Sequence, residues 1–247
     1  MPKYFRSVAM IAASAILMSG CLPGLEDDED DSLSKLSGEW KGMYRDSGGV
    51  FRSLTASIND SGKITALTVY SMETLTGTLE STGDKTYGYV LSDGSEGGFM
   101  ADSSGKHLGF LTEDYEWGIL EKGATLQYSA DGNFSSADFV GTWNGYSVEL
   151  NSYMDVVDRY SSRATIETNL SFSGSNDYGS FSGQLDYYDD GKGYSYGTYS
   201  SADGSGNVGL LVSPDKSFMA TWACDSGSSS NLAIYYISDC SFAIWNK

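Results

Sequence analysis

The chain has 247 residues, with 15 Lys+Arg against 33 Asp+Glu, one histidine, three cysteines and 30 glycines. Such a length supports one large all-β domain or two small ones, each with its own core, and excludes a cysteine-stapled miniature. Loss of Lys3 and Arg6 with a leader over residues 1–20 makes the mature balance 13 − 33 = −20, which argues against nucleic acid and anionic lipid headgroups as partners.

Lys3 and Arg6 open the chain and Val8–Leu17 is an apolar run too short to span a bilayer, the pattern of an export signal. It ends at Leu17-Met18-Ser19-Gly20-Cys21, small residues directly before a cysteine. This resembles the lipobox of bacterial lipoproteins, although Met18 stands where that family most often has Leu. The resemblance implies cleavage before Cys21, which then carries a diacylglycerol and an N-acyl chain, enough for stable anchoring where one chain is marginal. Leu22, rather than Asp, follows, and by resemblance to the sorting rule of enterobacterial lipoproteins the address is the cell outer membrane.

Residues 21–35 read as an acidic tether. Glu26–Asp31 are six consecutive carboxylates, which repel one another and stay solvated, and the spacing of an EF-hand loop is absent. Two repeats follow, expected over residues 36–135 and 136–247. Leu36-Ser37-Gly38-Glu39-Trp40-Lys41-Gly42 recurs as Phe139-Val140-Gly141-Thr142-Trp143-Asn144-Gly145, an offset of 143 − 40 = 103. Thr76–Glu80 matches Ser182–Asp186 at 182 − 76 = 106, and Gly98–Ala101 matches Gly209–Val212 at 209 − 98 = 111. The common order, with offsets drifting as loop insertions would make them, argues for duplication.

Both halves read as strands. Ala164–Phe172 alternates apolar and polar almost strictly, as does Ser53–Ile58. Turns are written at Asn59-Asp60-Ser61-Gly62, Asp93-Gly94, Ser104-Gly105, Asp190-Gly191, Asp203-Gly204 and Ser213-Pro214-Asp215-Lys216. About eight antiparallel strands per half, without crossover helices, predict an all-β chain of two tandem meander barrels.

The Gly38-x-Trp40 and Gly141-x-Trp143 openings resemble the first strand of calycins, the superfamily of lipocalins, fatty-acid-binding proteins and avidins. Leu75–Ser81 resembles a later strand motif of the avidins. The resemblance implies up-and-down barrels with a ligand cup, Gly38, Trp40, Gly141 and Trp143 forming the barrel bases as packing rather than as ligand contacts. Two departures stand out. Lipocalins pack a late-strand Arg over that Trp, and none of the five arginines, Arg6, Arg45, Arg52, Arg159 and Arg163, lies late in the chain; and the Asn that follows the avidin Trp after one residue is here Asn144, immediately adjacent.

The equipment for catalysis is thin. His107 is the only base of its kind, expected as an exposed imidazole at a strand start, and neither a triad nor a zinc set is spelled out. The sequence therefore predicts a non-enzyme with no catalytic residues, no metal and no cofactor. Cys224 and Cys240 remain after lipidation in an oxidising compartment and are expected as a disulfide, with two buried thiols as the alternative. Strands over Phe218–Ala223 and Leu232–Ile237 would set them at opposite ends of a hairpin, against the bond. Tyr187, Tyr188, Tyr194, Tyr196 and Tyr199 flank Asp189-Asp190-Gly191, a sugar or cationic-ligand surface or ordinary strand tyrosines facing water. Asn151–Arg159 is an insertion with no counterpart in the first half, a lid or a long hairpin end. Two functions compete: a lipid-anchored binding module for a small or extended ligand, whose identity the residues do not give, and an acidic interaction protein that captures a basic protein or supports an outer-membrane assembly.

Overall fold

Alternation and turn chemistry produce sixteen strands among the described residues. In the computed structural model, which describes residues 33–69, 73–83, 85–114, 116–123, 134–150, 156–187, 193–202, 204–225 and 240–247, the first eight are β1 (Gly38–Arg45), β2 (Phe51–Ile58), β3 (Lys63–Val69), β4 (Glu73–Gly83), β5 (Thr86–Leu91), β6 (Glu96–Ala101), β7 (His107–Thr112) and β8 (Trp117–Lys122). The second eight are β9 (Gly141–Leu150), β10 (Val156–Ile166), β11 (Ser171–Asn176), β12 (Gly179–Tyr187), β13 (Tyr194–Ser201), β14 (Ser205–Val212), β15 (Phe218–Asp225) and β16 (Cys240–Asn246). Each set forms a closed antiparallel meander barrel, last strand bonded to first. Both barrels lie in one compact unit, Asp31–Lys247; Cys21 and most of the tether lie outside the described residues.

The turns show why the strands end where they do. At Asn59, the side-chain Oδ1 accepts from the backbone N–H of Ser61 and Lys63, and Gly62 completes the turn at φ +76°, a value that suits glycine. The same device divides a run that reads as one strand. Ala164–Phe172 is not continuous: β10 ends at Ile166, Asn169 Oδ1 accepts from Ser171 N–H, Leu170 takes φ +63°, and β11 starts at Ser171. Alternation survives because Ile166, Leu170 and Phe172 all serve the same core.

The two bases are built alike. A 3-10 turn (Leu33–Leu36, then Ser136–Asp138) leads into each first strand. Trp40 Nε1 donates to the Leu36 carbonyl at 2.8 Å, and Trp143 Nε1 donates to the Phe139 carbonyl at 2.8 Å, both indoles fully buried. Gly38 and Gly141 open their strands at φ +138° and +137°, and a Cβ on either would meet a lysine Cε at 2.8 Å. Each lysine also lies over its tryptophan: Lys122 Nζ is 5.5 Å from the Trp40 ring centroid and Lys247 Nζ 5.1 Å from that of Trp143. They also donate to the carbonyls of Lys35 and Asp138, at 2.9 and 3.2 Å.

The barrels dock side by side. Outward-facing Met43, Met100 and Ile119 of the first pack with Leu211, Phe242 and Ile244 of the second in one continuous apolar cluster. Glycines permit the close approach, since a Cβ on Gly109 would meet Ile244 Cγ2 at 2.6 Å and one on Gly209 would meet Trp117 at 2.9 Å.

Cys224 and Cys240 face one another across the β15–β16 ladder and are bonded, with Cα atoms 4.2 Å apart. The expected obstacle is corrected by the strand itself: the partner of β15 begins at Cys240, whereas Leu232–Ile237 lies outside the described residues. Of Asn151–Arg159, only Val156–Arg159 are described, as the start of β10.

Candidate functional site

Register allows the two barrels to be compared position by position. Trp40 pairs with Ala56 and Trp143 with Ala164; Leu79 pairs with Tyr89 and Leu185 with Gly197; Tyr44 pairs with Gly118 and Ser147 with Ala243. Carried around the ladder, this makes Leu54 equivalent to Ser162, Tyr87 to Ser195, Tyr89 to Gly197 and Phe110 to Thr221, and it closes on Tyr44 and Ser147 without contradiction.

The consequence is physical. In the first barrel, Tyr44, Leu54, Tyr87, Tyr89, Phe99 and Phe110 are buried in one core. The rings of Tyr89 and Phe110 stack at 6.1 Å, and Tyr44 meets Phe110 edge-on at 6.0 Å. In the second barrel the equivalents of five of these six are serine, glycine or threonine. Three of the five, Ser147, Ser162 and Thr221, line a cavity of about 510 Å³, a volume within the range of ligand pockets; Ser195 and Gly197 lie outside its lining, and a Cβ on Gly197 would meet the backbone of β12.

The cup has three levels, set by successive inward residues of each strand. Its floor is apolar, with Trp245, Met219, Leu210 and Ile166 above Trp143; Trp245 Nε1 donates to Thr221 Oγ1 at 3.0 Å. Its waist carries the small hydroxyls, Ser147 and Ser162 lying 3.2 Å apart. Its rim is acidic and aromatic: Glu149, Asp158 and Asp225 with Tyr160, Tyr178 and Tyr199. Tyr178 donates its hydroxyl to Asp158 and Tyr199 donates to Asp225. Burial holds the Tyr160 phenol above its ordinary range, the carboxylates of Glu149 and Asp158 push it the same way, and a hydrogen bond with Ser241 opposes them. The disulfide sits at this rim, where Cys240 lines the cup.

Alternation scatters the tyrosine cluster. Tyr199 points into the cup, Tyr196 is exposed and donates to Asn207 at 3.0 Å, and Tyr194 packs against Phe51 at 4.9 Å in the contact between the barrels. Tyr188, Asp189, Asp190 and Gly191 lie outside the described residues.

His107 corrects the expectation of an exposed imidazole. It is 4% exposed, stacks on Phe218 of the second barrel at 4.8 Å, and bridges two carboxylates, Nδ1 to Asp102 at 3.0 Å and Nε2 to Asp215 at 3.2 Å. Burial disfavours its charge, yet Asp102, Asp215 and Glu121 outweigh that and raise its pKa. Asp215 lies in the turn before β15, 215 − 107 = 108 residues away, so no local signal in the sequence marks the pair. Glu121 Oε2 is buried beside them with no hydrogen-bond partner, and burial raises its pKa. One ligand atom each from His107, Glu121 and Asp215 lies within 4.8 Å of the others, a grouping of metal-ligating type.

No protein-family model matches the chain, and no curated protein is similar to it in sequence. Among solved structures, one of a protein of unknown function from the DUF3598 family of Nostoc punctiforme has 11% identity and a TM-score of 0.42, over 87% of this chain and 98% of that one. A mutant transferrin-binding protein B from Haemophilus parasuis, a vaccine antigen, has 8% identity and a TM-score of 0.43, over 84% of this chain and 44% of that one. A mutant of LTBP1 in complex with leukotriene C4 has 14% identity and a TM-score of 0.33, over 46% and 70%.

Proposed function

We propose that the chain is a non-enzymatic, lipid-anchored protein of the outer membrane whose second barrel binds a small ligand, the first barrel acting as its filled support. One observation carries the reading: five inward positions that hold Tyr44, Leu54, Tyr87, Tyr89 and Phe110 in the first copy hold Ser147, Ser162, Ser195, Gly197 and Thr221 in the second. Large-to-small exchanges gathered in one copy, three of them lining the cavity, are what a binding cup requires, because void in a core lowers stability and persists where occupancy repays it. The anchor is Cys21, for which the lipobox-like approach of Ser19 and Gly20 speaks. The acidic run between anchor and barrels supports a solvated tether.

Titration with the neutral apolar dye N-phenyl-1-naphthylamine tests the cup. The expected result is saturable fluorescence enhancement at one site per chain. Absence of saturable binding would overturn the reading, and two equal sites would place the dye in both barrels or elsewhere.

A further inference from the structure

The rim of the cup differs from that of its filled counterpart in charge as well as in volume. In the first barrel the backbone N–H of Asp46 donates to the Val50 carbonyl, and the Asp46 carboxylate receives the Arg52 guanidinium at 2.7 Å, so the acid is neutralised where it stands. Backbone donation from Val50, the Arg52 guanidinium and its hydrogen bond hold that carboxyl below its usual range. One level up from Tyr44 and Ser147, the same three places in the second barrel are Glu149, Asp158 and Tyr160, with Glu149 and Asp158 directly opposed across the β9–β10 ladder. The cation has gone and a second acid has arrived. Like charges directly opposite on neighbouring strands destabilise a sheet. Asp225 adds a third carboxylate, and no lysine, arginine or histidine lines the cavity among the described residues.

We infer that the cup takes an organic cation with an apolar body: its ammonium or similar group sits at the rim between Glu149 and Asp158, and its body reaches down to Leu210, Met219 and Trp245. Charge, shape and aromatic lining agree on this. Tyr160 and Tyr178 meet edge to face with centroids 5.4 Å apart beside the two acids, so π faces and carboxylates converge on one point, as cation recognition demands. The waist, with Ser147, Ser162 and Thr221, adds hydroxyls that a chain or ring can pass without a charged partner. An anion entering this mouth would meet three carboxylates, and no cationic side chain lines the cavity among the described residues.

This inference rests on the cup being a binding site, and its experiment separates the two. Three probes share one body and differ in head group: 4-phenylbutylammonium, 4-phenylbutanol and 4-phenylbutyrate. Isothermal titration of the whole acylated chain at neutral pH and low salt is expected to rank them in that order, the ammonium binding at least about tenfold tighter than the alcohol, or about 1.4 kcal/mol. Glu149→Gln and Asp158→Asn, which keep the side-chain shapes, are each expected to narrow the ratio of ammonium to alcohol affinity. Raised salt should narrow the gap in the same way. If alcohol and ammonium bind equally, or if both substitutions leave the preference intact, the cation inference is overturned and the cup remains. If none of the three binds, while the chain keeps its folded circular-dichroism spectrum, the binding cup itself is overturned and the inference with it.

Discussion

Tyr44 and Ser147 hold the same place in two copies of one barrel: each lies one inward step above the glycine that follows the base tryptophan, and each pairs with a small residue of the last strand, Gly118 or Ala243. One fills its barrel and the other opens it. Ser147→Tyr combined with Thr221→Phe, which restores the first barrel's residues to the second, is expected to abolish dye binding. Its effect on the urea midpoint should stay within the overpacking range of about 1–3 kcal/mol. Undiminished dye binding by a folded double variant would move the ligand elsewhere.

The equivalence of the bases makes a second forecast. Trp40→Ala and Trp143→Ala each remove a fully buried indole and its hydrogen bond, so each should cost about 3–5 kcal/mol in urea denaturation. Lys122→Met and Lys247→Met keep the stems and lose the cations above those rings, an effect of about 0.5–1 kcal/mol each. An unmoved midpoint for either Trp variant would show that its indole is solvent-facing.

Strands, turns and duplication were legible because each is local: period-two alternation at Ser53–Ile58, an Asx turn at Asn59 and a repeated Gly-x-Trp are all visible within a few residues. The hollow was not, because Ser147 and Ser162 of the β9–β10 pair meet Thr221 of β15 only when the barrel closes. His107 failed for the same reason. Lys106-His107-Leu108 reads as a polar strand start, and only docking against Phe218 and Asp215 buries the ring. The cation above each base tryptophan is a lysine, Lys122 or Lys247, rather than an arginine, and it reaches the ring only through the closing strand. The split at Asn169 was hidden because the turn preserves the alternation on both sides.

The His107 network should give stability a definite pH shape. His107 is raised above its ordinary pKa, so its charged contribution is fully present below the ordinary imidazole range and is lost as pH rises through the elevated value. Asp102 and Asp215 are lowered despite burial, by hydrogen bonds from His107 and Ser104 in the first case and from Ser213 and Ser217 in the second. Their contribution is present above the ordinary carboxylate range and lost as pH falls through the lowered values. Glu121, raised, favours the folded state when protonated and adds to the decline on the alkaline side. Stability is therefore expected to be highest in weak acid and, for the imidazole, to decline from about pH 6.5 upward through the elevated His107 value. His107→Gln should cost about 3–5 kcal/mol at the acid end, by stranding buried Asp102, and should flatten that decline. Denaturation midpoints across the range check both, and an unaltered slope in the variant would show that His107 does not titrate there.

The Cys224–Cys240 bond closes a loop with a sequence separation of 16 at the mouth of the cup. Its removal by Cys224→Ala with Cys240→Ala should lower stability by roughly 3 kcal/mol on the chain-entropy account. Because Cys240 lines the cup, dye affinity should fall as well; a midpoint identical to that of the parent under oxidising conditions would mean the bond contributes nothing.

Anchoring has the plainest test. Wild-type cells fed labelled fatty acid should incorporate it into this chain, and Cys21→Ser should abolish both the label and detergent-phase partitioning. A labelled, membrane-bound serine variant would refute the lipoprotein assignment.

The wall shared by the barrels has a further meaning. Large-to-small exchanges in a core destabilise by about 2–5 kcal/mol each, and a domain's whole net stability is only about 5–15 kcal/mol, so a solitary barrel with five such exchanges would stand near the edge of unfolding. Here Met43, Met100 and Ile119 of the packed copy are continuous with Leu211, Phe242 and Ile244 of the hollow one, and the two are expected to melt as one cooperative body. The shared wall thereby lets one barrel lend rigidity to the other, whose interior can change residue by residue without either barrel having to stand alone.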